Sequence, residues 1–206
     1  MSGCSSTSSN LAKQRPHFLS KPEILIAPVK DTPMVRILAL KTDVPVRITV
    51  DIDAQGKKWS VEFEDYDTAH RLALYGFHPG KNHTLRIHVF NLADRKTTYD
   101  RSLTVSMPPL PNWFPIIEVK SDPRKMEPGY TLFNVIPEGD NKKFSHLLLI
   151  VDDLGTVVWY RVSETFSDVR KLSSGNLLSI EGNKIVEFDL RGLRLKEWQS
   201  VADLKL

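Results

Sequence analysis

The sequence predicts an all-β chain, an immunoglobulin- or fibronectin-like β-sandwich followed by the first one or two blades of an incomplete β-propeller. Three observations carry this prediction. Short runs between Pro22 and Met107 alternate apolar and polar residues at period two, and no segment keeps a helical period for three turns. A proline run, Pro108-Pro109-Leu110-Pro111-Asn112-Trp113-Phe114-Pro115, then interrupts any central strand, because proline removes ladder donors. Beyond it, a strand–turn–strand unit occurs twice, about 37 residues apart, within the period range of propeller blades.

Taken in order, residues 1–21 read as a flexible tether, Ser-rich and then polar, without periodicity. Its Met1-Ser2-Gly3-Cys4 start places small residues before the chain's single cysteine. That pattern is similar to the end of a bacterial lipoprotein signal peptide, which makes Cys4 the lipid-attachment candidate. It implies a periplasmic or outer-membrane lipoprotein, tethered to the membrane through Cys4. The charged and apolar regions of a full export signal are absent from the sequence, and a disordered tail with an incidental cysteine is the other reading.

Residues 22–107 form the expected sandwich. Val44 to Asp53 alternates strictly, Trp59 to Phe63 does the same, and His70–Leu74, Leu85–Val89 and Ser102–Val105 follow. The turn Gly76-Phe77-His78-Pro79-Gly80-Lys81-Asn82-His83 resembles the corner of fibronectin-type sandwiches, with His83 where a tyrosine usually pins the strand. Residues 108–129 are a stiff connector in which Trp113 and Phe114 are expected to plug between the domains. Residues 130–206 begin the propeller. In Asp152-Asp153-Leu154-Gly155 and Asp189-Leu190-Arg191-Gly192, the aspartate accepts backbone hydrogen bonds and the glycine takes the positive-φ position of a hairpin. Trp159 and Trp198 close the two copies and are expected to pack between blades. About 75 residues follow Tyr130, enough for roughly two blades, so the chain reads as part of something longer, with an open edge through which it could oligomerise.

Composition excludes several functions. Charged residues make up 26% of the chain and the net charge is only +3, with bases and acids interspersed, so no phosphate-tracking stripe marks a nucleic-acid binder. One cysteine allows neither a disulfide framework nor a zinc pair. His70, His78, His83 and His88 lack metal-ligand spacing and read as polar-face and corner residues. Asp51, Asp53, Glu62, Glu64, Asp65 and Asp67 lack a calcium-loop pattern and read as a solvated strand face. No nucleophile elbow, P-loop or dinucleotide fingerprint occurs, so neither a cofactor nor a catalytic residue is assigned.

Several stretches together resemble the bacterial aryl-sulfate sulfotransferase family. Tyr66 to Val89, above all His70-Arg71-Leu72-Ala73-Leu74-Tyr75-Gly76-Phe77-His78-Pro79-Gly80-Lys81-Asn82, is similar to its N-terminal sandwich. Glu127 to Asn134, Ile150 to Tyr160, Asp168 to Leu178 and Glu187 to Asp189 are similar to the start of its propeller. The resemblance implies sulfuryl transfer from a phenolic sulfate ester to a phenol, without a nucleotide donor, through a histidine in a six-bladed propeller. It places the catalytic histidines and arginine in later blades, so none is carried over here. Before Asp168, where relatives often have histidine, stand Phe166 and Ser167, and the chain alone is expected to be inactive. The competing expectation is a non-catalytic exported lipoprotein or binding module that uses the sandwich and an open sheet edge.

Overall fold

A computed structural model describes residues 14–120, 125, 127, 129–136, 146–163 and 165–199. Cys4, and Pro128 within the Glu127 to Asn134 stretch, lie outside the described residues. Among those residues there are thirteen strands and no helix, in agreement with the all-β class. The chain divides into two compact units. One gathers residues up to 26 with 36–74 and 80–108, and the other gathers 27–35, 75–79 and 109–206.

The first unit contains β1 (Glu23–Ile26), β2 (Arg36–Ala54), β3 (Lys57–Leu74), β4 (Asn82–Asn91), β5 (Lys96–Thr98) and β6 (Leu103–Ser106). Period-two alternation is realised in full along β2. Val44, Val46, Ile48, Val50 and Ile52 are all buried, and each contributes about 1.5–3 kcal/mol by leaving water. Where the sequence suggests two stacked sheets, all six strands are hydrogen-bonded into one antiparallel sheet. The length of β2 explains this. Its first half pairs with β1 and with the end of β3, and its second half pairs with β4 and with the start of β3.

Between the halves of β2 the register shifts twice, from Lys41 to Val46 and from Val46 to Ile48. Pro45, which has no amide hydrogen to donate, lies in this break. On β3 the exposed acidic stretch Glu64 to Asp67 lies between the two paired regions, so Trp59–Phe63 and His70–Leu74 belong to one long, irregular strand. Residues 14–20 also differ from the tether reading. Phe18 bridges to Thr42, and Asp43 accepts bonds from the His17 amide (2.7 Å) and the Gln14 side chain (2.9 Å). The Phe18 ring meets Tyr99 edge-on at 5.2 Å. An acceptor and an aromatic partner distant in sequence hold a segment that has no periodicity of its own.

The second unit contains two sheets. One is β7 (Thr131–Val135), β8 (His146–Val151) and β9 (Val157–Ser163). The other is a four-stranded meander of β10 (Phe166–Lys171), β11 (Leu177–Glu181), β12 (Lys184–Phe188) and β13 (Arg194–Gln199). The internal repeat is exact at the level of pairing. Leu148↔Arg161, Leu149↔Tyr160, Ile150↔Trp159 and Val151↔Val157 on β8 and β9 recur 37 positions later as Ile185↔Trp198, Val186↔Glu197, Glu187↔Lys196 and Phe188↔Arg194. Both ladders shift register immediately before the turn.

Candidate functional site

The four histidines noted in the first half of the sequence go to four different environments. The His70 ring meets the Asp67 carbonyl oxygen at 2.8 Å and steadies the irregular stretch of β3. His83 is fully buried, edge-on to Trp59 at 6.2 Å between ring centres. His78 falls in the second unit, its Nε2 3.5 Å from the buried carboxylate of Asp152. Among the described residues, no group of three His, Cys, Asp or Glu side chains could hold a metal ion.

His88 joins two strands through both ring nitrogens. Its Nδ1 lies 2.8 Å from the Thr98 hydroxyl and its Nε2 lies 2.9 Å from Asp51. Asp51 also accepts a 2.7 Å bond from Ser60. The pleat explains the row: Thr98 lies directly across from His88, and Ser60 directly across from Asp51, on one face of the sheet. The Ser60 hydroxyl, then the His88 ring, hold the Asp51 carboxyl below the usual carboxylate range against the opposing effect of burial. The Asp51–Ser60 pairing follows from strand alternation. Thr98 does not, because β5 is only three residues long and carries no periodic signal. The neighbouring acids are bonded locally as well. Asp53 accepts from the Gly56 amide at 2.9 Å and lies 3.6 Å from Lys58, and Asp67 accepts from the Thr68 amide at 2.6 Å.

In the second unit the polar chemistry serves the repeat. Asp152 accepts from the amides of Leu154 (3.0 Å) and Thr156 (2.9 Å), and Asp189 accepts from those of Arg191 (2.9 Å) and Leu193 (3.1 Å). Gly155 and Gly192 take φ of 78° and 85° in the two turns, which side chains of L-residues disfavour. Tyr75 is half-buried, and its partial desolvation, then the charge of Asp189, push its hydroxyl pKa up to about 12.

Hydrogen bonds, ion pairs and ring contacts join the two sheets of this unit. Trp159 is buried and its indole N–H donates to the Leu190 carbonyl, in the second turn, at 2.8 Å. The His146 ring meets the Phe166 carbonyl at 2.6 Å. Arg161, buried, reaches Glu181 at 3.4 Å and lies over the rings of Phe188 (4.1 Å) and Phe166 (5.2 Å). Arg194 binds the other oxygen of Glu181 at 2.5 Å, and Ser179 donates to the first at 3.2 Å. Desolvation lowers the pKa of Arg161, and the facing carboxylate of Glu181 offsets part of that cost.

Two expectations are refined here. Trp159 packs between the sheets as expected, but Trp198 aligns with Arg161 and not with Trp159, and it is half exposed. Phe166, one of the two residues that stand before Asp168 where relatives often have histidine, is a core aromatic stacked on Phe188 at 6.3 Å. Arg161 and Glu181 had no signal in the sequence, because a charged residue in a strand reads as solvent-facing until the facing sheet is known.

In the comparison with family models, residues 116–204 match the model described as Arylsulfotransferase (ASST). The match spans both sheets of the repeat and leaves the first unit outside it. No curated protein matches the chain.

Proposed function

We propose, from the premise that residues 116–204 are an arylsulfotransferase-family segment, that this chain supplies the opening repeats of a propeller that moves sulfuryl groups between phenols. The observation that carries the reading is the coincidence of the family match with a 37-residue repeat whose ladders, bulges and aspartate turns agree pair by pair. In such a reaction a neutral imidazole attacks the sulfur of an aryl sulfate ester and the S–O bond to the ring breaks. The phenolate leaves, and a second phenol then takes the sulfuryl group from nitrogen. Donors aimed at the sulfuryl oxygens stabilise the charge that develops there.

The histidines of the second unit are engaged in other work. His146 is held by the Phe166 carbonyl at 2.6 Å, and His78 faces Asp152 at 3.5 Å. The reading therefore gives these repeats a scaffolding role and assigns the nucleophile to further repeats. The experiment is release of 4-nitrophenolate from 4-nitrophenyl sulfate with phenol as acceptor. The 206-residue chain is expected to give only background release. Turnover that disappears in His146→Ala would overturn the scaffolding role and place the chemistry in this chain.

A further inference from the structure

The two Asp-x-x-Gly turns of the repeat are bonded alike on one oxygen of the aspartate and differently on the other. In each, the first carboxylate oxygen accepts from two amides of the turn, those of Leu154 and Thr156 at Asp152 and those of Arg191 and Leu193 at Asp189. The second oxygen meets a basic side chain. For Asp189 it is Arg191 of the same turn, with Nε at 2.7 Å and Nη2 at 2.6 Å. For Asp152 it is His78, whose Nε2 lies at 3.5 Å and which belongs to residues 75–79, far from the turn in sequence. Arginine stays charged throughout the range in which proteins are folded, whereas an imidazole gains and loses its charge near neutrality.

Burial makes this difference count. The side chains of Asp152 and His78 are 2% and 16% exposed, against 15% and 42% for Asp189 and Arg191. A carboxylate so enclosed favours a positive partner, because little water screens the pair. Desolvation of the ring acts the other way, by disfavouring its charged form. The attraction is the larger of the two, since the ring keeps some access to water and the carboxylate almost none. Other charged groups on the segments around this turn are exposed, so water screens them. They are Asp153 within the turn, and Glu118 and Lys120 on either side of Val119, which packs against Gly155.

We propose that His78 is a pH-sensitive clasp that, when protonated, fastens residues 75–79 to the first turn of the repeat through Asp152. The ring of the folded chain then holds its proton to a higher pH than the unfolded chain, whose histidine titrates near about 6.5. The contribution of the clasp is therefore complete below about pH 6.5 and is lost as pH rises through the folded pKa. The second turn, with arginine in the same role, is unchanged over that range. This inference rests on the two turns and not on the sulfuryl chemistry, so either can fail without the other.

The test is an NMR titration of the 206-residue chain, run from about pH 5 to about pH 8.5 to span the charge change of a histidine. The His78 ring is expected to titrate about one unit or more above the ordinary value of about 6.5. The Leu154 and Thr156 amide signals are expected to move with the same midpoint, and those of Arg191 and Leu193 much less. His78→Gln is expected to remove the movement at Leu154 and Thr156. Asp152→Asn, whose amide oxygen still accepts from the turn, is expected to bring the ring's midpoint down to about 6.5 or below. In the unaltered chain, a His78 midpoint at or below about 6.5 overturns the proposal. Equal movement of the two turns overturns it as well. Both of these outcomes are read without a substitution, so they decide the matter even where a variant fails to fold.

Discussion

Single residues on the face of the first sheet act through their neighbours across the pleat. Asp51 is the clearest case: its carboxyl lies below the usual range because Ser60 donates to it at 2.7 Å and His88 faces its other oxygen at 2.9 Å. A carboxylate whose folded pKa is depressed stabilises the fold above its unfolded value of about 3.9, and that contribution fades as pH falls through the folded pKa. Half of the Asp51 side chain is open to solvent, so its share of stability is small. Its titration is the sharper readout. Ser60→Ala is expected to move the Asp51 midpoint upward toward the ordinary carboxylate range, followed by carboxyl-carbon NMR. An unmoved midpoint would mean that Ser60 does not hold the charge.

At the scale of the element, the Asp-x-x-Gly turns set where each hairpin reverses, and their glycines differ in what surrounds them. Gly192 and Gly175 share a φ of 85°, but a Cβ on Gly192 would come within 2.9 Å of Val29 and Thr32, while one on Gly175 meets nothing within 4 Å. Thr32 cannot withdraw easily, since it is fully buried and its hydroxyl donates to the Arg191 carbonyl at 2.8 Å. Gly175→Ala is therefore expected to cost only the backbone strain, about 1 kcal/mol. Gly192→Ala adds overpacking of about 1–3 kcal/mol to that strain. Denaturant midpoints of the two variants, measured side by side, separate the terms, and equal losses would show that Thr32 and Val29 yield freely. The turns were legible because aspartate and glycine at fixed spacing have a local mechanism. The register shift before each turn was not, because a bulge depends on which residues of the partner strand are bonded.

Over the second unit as a whole, stability depends on the junction between its two sheets. Glu181 is buried between Arg161 and Arg194, and Arg161 is itself buried against two phenylalanine rings. Removing one partner of a buried pair leaves the other charge uncompensated, which costs about 3–5 kcal/mol. Glu181→Gln is expected to lose most of that amount in chemical denaturation. Val186→Ala, also buried but inside one sheet, is expected to lose about 1–3 kcal/mol by cavity formation. If Glu181→Gln is the milder of the two, the ion cluster is not what joins the sheets.

By itself, the sequence determined the all-β class, the buried face of β2, the proline interruption and the two matching turns. Each of these depends on a local rule: alternation exposes one face of a strand, proline removes a donor, and aspartate with glycine closes a hairpin. Only the tertiary structure decided that six strands of the first unit join one sheet, that His78 groups with Asp152, and that Arg161 is buried. It also decided that β7 is the counterpart of β11. Those features depend on which strand lies beside which, and strand pairing between residues far apart in the chain leaves no periodic mark on either strand.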